Sequence, residues 1–209
     1  MLQILGVLML VLFVGLSIVP AFFFESIIRR ELSQEVKIYG RSVSWSSIPL
    51  GLPVFMLTFS LVVLITKWAV VGRYREMHID VYSWSYLRWW FVDRCVHTWE
   101  FLVGKFIIKT KIGWLFYTLM GAKIHPTAQL DAMVREFDLV DIKANTTIKH
   151  EVRCRRFGMW KDDRPTLRFR NIKIGTCCSI EGMVSVGANI GDSCLVPKLS
   201  VVAEGAQVP

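Results

Sequence analysis

From Ile124 onward an aliphatic residue recurs at every sixth position, and a small residue follows four places after it. Ile124, Leu130, Ile142 and Ile148 share one phase, with Ala128, Val134, Thr146 and Val152 behind them. Ile174 and Ile180 restart the pattern with Cys178 and Val184. After a slip at Val186 the series Ile190, Val196, Val202 continues with Cys194, Ser200 and Ala206. A six-residue period held this long predicts a parallel β-helix, three hexads making one triangular coil in its left-handed form. The β-branched residues suit short strands, and the intervening Gly, Asn and Asp suit turns. Roughly ten or eleven hexads predict some three to four coils. Glu136 stands where an aliphatic residue is due, with Phe137 placed to take over. Residues 153–171 break the period in one excursion, long enough to expect a functional role. Val208-Pro209 forms no recognisable cap, although solenoids need one, so the β-helix is expected to be truncated.

The front of the chain has a different pattern. Met1 to Phe24 is apolar apart from Gln3 and Ser17 and carries no charge; Ile48 to Ile65 is a second uncharged run, bounded by Arg41 and Lys67. Each approaches the ~20 residues a helix needs to cross a bilayer. A cleaved signal peptide competes for the first run. That run lacks a basic start and a small-residue exit, and its apolar core is too long. Residues 1–66 are therefore expected to form a two-helix membrane segment, with Pro20, Pro49 and Pro53 near helix ends.

Residues 67–120 mix aromatic and basic side chains: Trp84-Ser85-Tyr86-Leu87-Arg88-Trp89-Trp90, then Trp99, Phe101, Phe106, Trp114, Phe116 and Tyr117 among Arg94, Lys105, Lys109 and Lys111. Such composition predicts amphipathic interfacial helices in contact with membrane lipid. A helical collar packed on the β-helix is a compatible reading. Residues 121–209 then form the β-helical domain.

Composition sharpens the membrane expectation. The chain is 53% hydrophobic with a mean hydropathy of +0.43, too apolar for an ordinary soluble domain. The net charge of +8 invites a nucleic-acid reading. However, Lys67, Arg73, Arg75, Arg88 and Arg94 cluster directly after the second apolar run, where a membrane protein carries its cytosolic charge. Between the runs Arg29, Arg30, Lys37 and Arg41 are mixed with Glu25, Glu31 and Glu35. The expected topology is a multi-pass membrane protein with a cytoplasmic β-helix and no nucleic-acid partner. Five cysteines with no C-x-x-C pair argue against both a disulfide framework and a metal site. Cys178 and Cys194 occupy small positions of the hexad and read as core.

Candidate chemistry centres on the break in the period. His150 ends the last hexad before the excursion, and a histidine titrates near neutral pH, so it can act as general base; an exposed turn histidine is the plain alternative. The excursion carries Arg153, Arg155, Arg156 and Lys161, cations able to hold the phosphates of coenzyme A or of a phosphopantetheine arm. Lipid contact and simple solvation fit the same residues. Glu136, Asp138 and Asp141 form an acidic group that can orient an amine, or serve as ordinary turn acids.

Several of these segments resemble a known family. Gly72-Arg73-Tyr74-Arg75, the tryptophan-rich run 84–90, Gly121-Ala122-Lys123-Ile124, Phe137-Asp138-Leu139-Val140, His150 and Pro197-Lys198-Leu199-Ser200 resemble the membrane-linked C-terminal region of poly-ε-lysine synthetase-like nonribosomal peptide synthetases. That resemblance implies hexapeptide-repeat acyltransferase domains that join aminoacyl units delivered as thioesters, with His150 as catalytic residue. It also implies adenylation and carrier domains as partners, in the parent protein or in trans, and a trimer or tandem β-helices. The thioester donor would be an acyl-CoA or a carrier-bound phosphopantetheine. The chain itself carries neither an adenylation nor a carrier domain, and its excursion is longer and more basic than the family pattern. A catalytically inactive β-helical scaffold at the membrane is the alternative.

Overall fold

The structure, a computed structural model, describes residues 2–36, 48–159 and 164–209. Lys37 and Arg41, used above for orientation, and Lys161 of the excursion lie outside the described residues. Helix α1 (Leu2–Val36) and helix α2 (Ile48–Val70) open the chain. Within them Gly6–Ile28 and Gly51–Val70 are long and apolar enough to cross a membrane, with mean hydropathies of 2.7 and 1.9. The helix α1 runs well past Phe24, so Pro20 sits in its interior rather than at an end. A side-chain hydroxyl ties the pair together. Thr58 Oγ1 of α2 donates to Ser17 O of α1 at 2.9 Å, while Ser17 Oγ donates one turn back within α1 to Phe13 O at 2.8 Å.

A strand, β1 (Met77–Asp80), interrupts the segment expected to be helical throughout. Helix α3 (Trp84–Trp99) follows, with Ser83 Oγ accepting from Tyr86 N at its start. It continues through a π-helical turn, Glu100–Gly104, and a last α-turn, Lys105–Ile107. Thr110 caps helix α4 (Lys111–Leu119) by accepting from Gly113 N. The inner face of this collar is buried: Trp99 stacks on Phe116 with centroids 3.7 Å apart, and Tyr117 packs against Phe137 of the solenoid. Its outer face leaves Phe101, Phe106, Ile112, Leu115 and Leu119 exposed.

The repeat region is a parallel β-solenoid with three short strands per turn. The first turn holds β2 (Lys123–Ile124), β3 (Gln129–Leu130) and β4 (Val134–Arg135). The second holds β5 (Val140–Ile142), β6 (Thr147–Ile148) and β7 (Val152–Arg153). A hairpin of β8 (Arg155–Met159) and β9 (Pro165–Phe169) then leaves the coil. The third turn holds β10 (Ile172–Ile174), β11 (Ser179–Ile180) and β12 (Met183–Val184). The fourth holds β13 (Asn189–Ile190), β14 (Leu195–Val196) and β15 (Val201–Val202), and β16 (Gln207–Val208) opens a fifth. Four complete turns and the start of another therefore replace the three to four expected.

Parallel pairing stacks like on like. Ile124, Ile142, Ile174, Ile190 and Val208 align on one face, and Leu130, Ile148, Ile180 and Val196 on the second. The third face pairs Val134 with Val152 and Val184 with Val202. In the first three turns this third strand arrives four residues after the second, not six. The shortened side explains both irregularities of the period. Val134, rather than Phe137, supplies the third face where Glu136 stood in the aliphatic position, and Val184 rather than Val186 does so in the third turn. Corner residues Asn145, Cys177 and Ser193 take left-handed φ of 55, 56 and 58°, a conformation non-glycine residues adopt only singly.

The excursion is not an open loop over its described part. Strand β9 lies between β8 and β1 in an antiparallel sheet, with Met77 opposite Phe169 and Asp80 opposite Thr166. The hairpin thereby joins the coil to the chain just after α2. A second tie lies beside it. Lys67, fully buried, donates to Asp138 Oδ2 at 2.8 Å, and Tyr74 N donates to the same oxygen at 3.0 Å. Gly121, at φ +111°, leaves the space that carboxylate fills: a Cβ there would sit 2.2 Å from Asp138 Oδ1.

Candidate functional site

The seam between α3 and the third face of the coil concentrates the charged chemistry. Asp93, His97 and Glu100 are spaced by four and three residues, so they share one face of the α3 helix and its π-turn. That face meets Arg135 of β4 and Arg155 of β8. Arg135 donates from Nη1 to Asp93 Oδ1 at 2.9 Å and from Nη2 to Glu100 Oε2 at 2.5 Å. Its Nε lies 2.9 Å from Glu151 Oε1, close in charge but without hydrogen-bond direction. Arg155 donates from Nη1 to Asp93 Oδ1 at 2.6 Å and to Glu136 Oε1 at 2.7 Å, and its guanidinium stands 4.9 Å from the Trp89 ring. Glu136 also accepts from Cys154 N at 3.1 Å.

These contacts set the protonation of the seam. Burial raises the Asp93 carboxyl, but Arg155, Arg94 and Arg135 more than offset it and hold the group below the usual range. Burial dominates at Glu100, which is pushed up to about 7 despite Arg135; its Oε1 has no hydrogen-bond partner among the described residues. Glu136 is raised by burial as well, against the pull of Arg155. The arginine gains: burial works against its charge, yet Glu136 and Asp93 raise it. His97 is lowered by burial and by Arg135 and Arg94. Its Nδ1 lies 3.1 Å from Arg135 Nη2. A guanidinium can only donate, so neutral His97 accepts at Nδ1 and carries its proton on Nε2.

His150 borders this seam. It is exposed on the rim of the second turn, its Nδ1 3.3 Å from the carbonyl oxygen of the next residue, Glu151. The imidazole is therefore open to an incoming group. The basic residues of the excursion are separated rather than gathered. Arg153 pairs with Glu151 at 2.6 Å, Arg155 is sunk in the seam, and Arg156 pairs with Glu204 of the fourth turn. Lys161 lies outside the described residues. The acidic trio is likewise dispersed: Glu136 serves Arg155, Asp138 serves Lys67 and Tyr74, and Asp141 stands 3.3 Å from Lys143.

Sequence reasoning missed Asp93, Glu100, Arg135 and Glu151. The available signal was the polar face at 93, 97 and 100 in an otherwise aromatic helix. Cys95, Cys154 and Cys178 are buried and fill space, and burial pushes the Cys95 thiol up to about 12 and Cys154 well above its ordinary value. No family model, curated protein or solved structure matches this chain.

Proposed function

We propose that the chain is a membrane-anchored, left-handed β-helical transferase module, multi-pass, with its solenoid on the cytoplasmic side. It would move an aminoacyl or acyl group from a thioester to an amine within an amide-forming assembly of the nonribosomal-peptide type. The single observation that carries this reading is His150, held open on the coil where the hairpin departs. In the proposed step the amine nitrogen attacks the thioester carbonyl, the C–N bond forms and the C–S bond breaks. His150 takes the proton from the amine and returns it to the departing thiolate.

The donor, an acyl-CoA or a phosphopantetheine thioester on a carrier domain, would arrive from a partner or from the parent protein. A second solenoid, as a trimer neighbour or a tandem repeat, would complete the walls of the site. Leu195 and Val201, exposed by 68% and 65% on the fourth turn, support such an apolar contact. The test is turnover of aminoacyl-pantetheine thioesters by the intact protein with its carrier. His150→Ala should lower the rate about 10²–10⁴-fold.

One observation favours the second reading, an inactive scaffold. Arg153, Arg155 and Arg156 each already face a carboxylate of this chain and so have less charge to offer a cofactor phosphate. Undiminished turnover in His150→Ala would sink the catalytic assignment of His150, the one residue on which the transferase reading rests.

A further inference from the structure

We propose that Arg73, Arg75 and Arg88 form a binding site for a phosphate ester at the end of α2. The three open onto one cavity of about 120 Å³, with Ser85 beside them and Trp89 and Phe169 contributing aromatic surface. No acidic side chain lines it among the described residues. Such a volume lies well under the roughly 300 Å³ at which sites for whole drug-sized ligands begin. It therefore suits a headgroup-sized anion whose remainder stays outside.

The local structure prepares this arrangement. Tyr74 is buried, its ring 6.2 Å from Phe169 and its N–H bound to Asp138, while its neighbours Arg73 and Arg75 remain exposed. The anchored tyrosine thus fixes the backbone that carries both guanidinium groups. Arg88 is fixed by a different contact, donating from Nε to Val70 O at 2.6 Å and from Nη2 to the same oxygen. The nearest carboxylate to Arg73, Asp138, is 3.9 Å away and already serves Lys67 and the Tyr74 amide. Arg75 has no ion pair among the described residues. Three guanidinium groups with so little internal neutralisation suit the forked hydrogen bonding that phosphate oxygens accept.

Two sources carry this chemistry. A phospholipid headgroup fits a cavity that begins where the apolar span Gly51–Val70 ends, beside the exposed Trp84. A soluble phosphate ester fits the same cations. The inference uses none of the residues of the transferase reading and stands apart from it.

Calorimetric titration of the intact chain in neutral detergent tests the proposal, with dihexanoyl phosphatidic acid, uncharged dihexanoylglycerol and 4′-phosphopantetheine as probes. Saturable binding of at least one phosphate-bearing probe is expected, weakened roughly tenfold or more in R73Q/R75Q through loss of two charge-assisted contacts. The double variant K173Q/K198Q removes the same charge from exposed sites on the coil and should bind as the native chain does. Binding of phosphatidic acid alone assigns the site to lipid, and binding of phosphopantetheine assigns it to a soluble ester. The proposal is overturned if neither phosphate probe binds, if dihexanoylglycerol binds equally well, or if R73Q/R75Q binds unchanged. An equal loss in both double variants overturns it too. Matched thermal unfolding of the variants excludes misfolding as the cause.

Discussion

The coil and the joint that fastens it to the helices are built on opposite plans. In the coil each apolar side chain meets its like in the next turn, as Ile148 meets Leu130 and Ile180, and every turn repeats the solution. In the joint each contact occurs once. Lys67 reaches Asp138 across 71 residues, Arg135 reaches Asp93 across 42, and Arg155 reaches Asp93 across 62. Burial of apolar surface is graded, so a coil position tolerates the loss of a methyl group. A buried charge is tolerated only while its partner is present. The repeat therefore supplies the scaffold, and the unrepeated polar contacts fix where the scaffold sits against α2 and α3.

The sharpest break in that contrast is Asp138→Ala. It strands Lys67, which is fully buried, and takes away the acceptor of the Tyr74 amide. The expected loss is about 3–5 kcal/mol, read as a fall in the thermal midpoint of the intact chain in detergent. Lys67→Met combined with Asp138→Leu should recover much of it, because two apolar groups replace a pair instead of orphaning one member. A recovery no better than the single variant would mean that the Tyr74 amide, not the ion pair, holds the joint. In the coil, Ile148→Val removes one methylene from a fully buried position and is expected to lose only about 1 kcal/mol. A loss as large as that of Asp138→Ala would erase the distinction between the two regions.

The same contrast explains what the sequence made legible. The six-residue phase named Ile124, Leu130, Ile142, Ile148, Ile174, Ile180, Ile190 and Val196 as core, and all are buried. Periodicity reads well because each turn repeats the same environment. It named Val134, Val152 and Val184 only as the residues four places behind each aliphatic position, and a search for sixes did not show that they carry the third face. It read the excursion as a loop because β8 and β9 pair with β1, a strand from outside the repeat. The joint had no period at all. Nothing in the spacing of Gly121 and Asp138 says that the glycine exists to admit the carboxylate. Arg155, read as a phosphate ligand from its place in a basic run, is turned inward by Asp93 and Glu136, two acids far apart in the chain. Charge density along a sequence reports neither burial nor partner.

A pH-dependent effect tests whether the seam of α3 behaves as a buried ionic contact at all. Burial raises the Glu100 carboxyl from its ordinary 4.5 to about 7. Between those values the folded chain keeps a proton that the unfolded chain has released, so stability falls as pH rises through this window. Glu100→Gln keeps an acceptor for Arg135 and removes that ionisation. Asp93 and Glu151, whose folded values are depressed, and His97, also lowered, contribute the opposite slope, but they are present in both proteins. The difference in stability between variant and native chain isolates Glu100. It should move in favour of Gln as pH climbs from 4.5 to 7, by on the order of 2 kcal/mol, and level off above. Thermal midpoints of the two proteins at half-unit pH steps give the difference directly. A flat difference would mean that Arg135 keeps Glu100 ionised throughout, and that the seam holds its charges as tightly as Lys67 and Asp138 hold theirs.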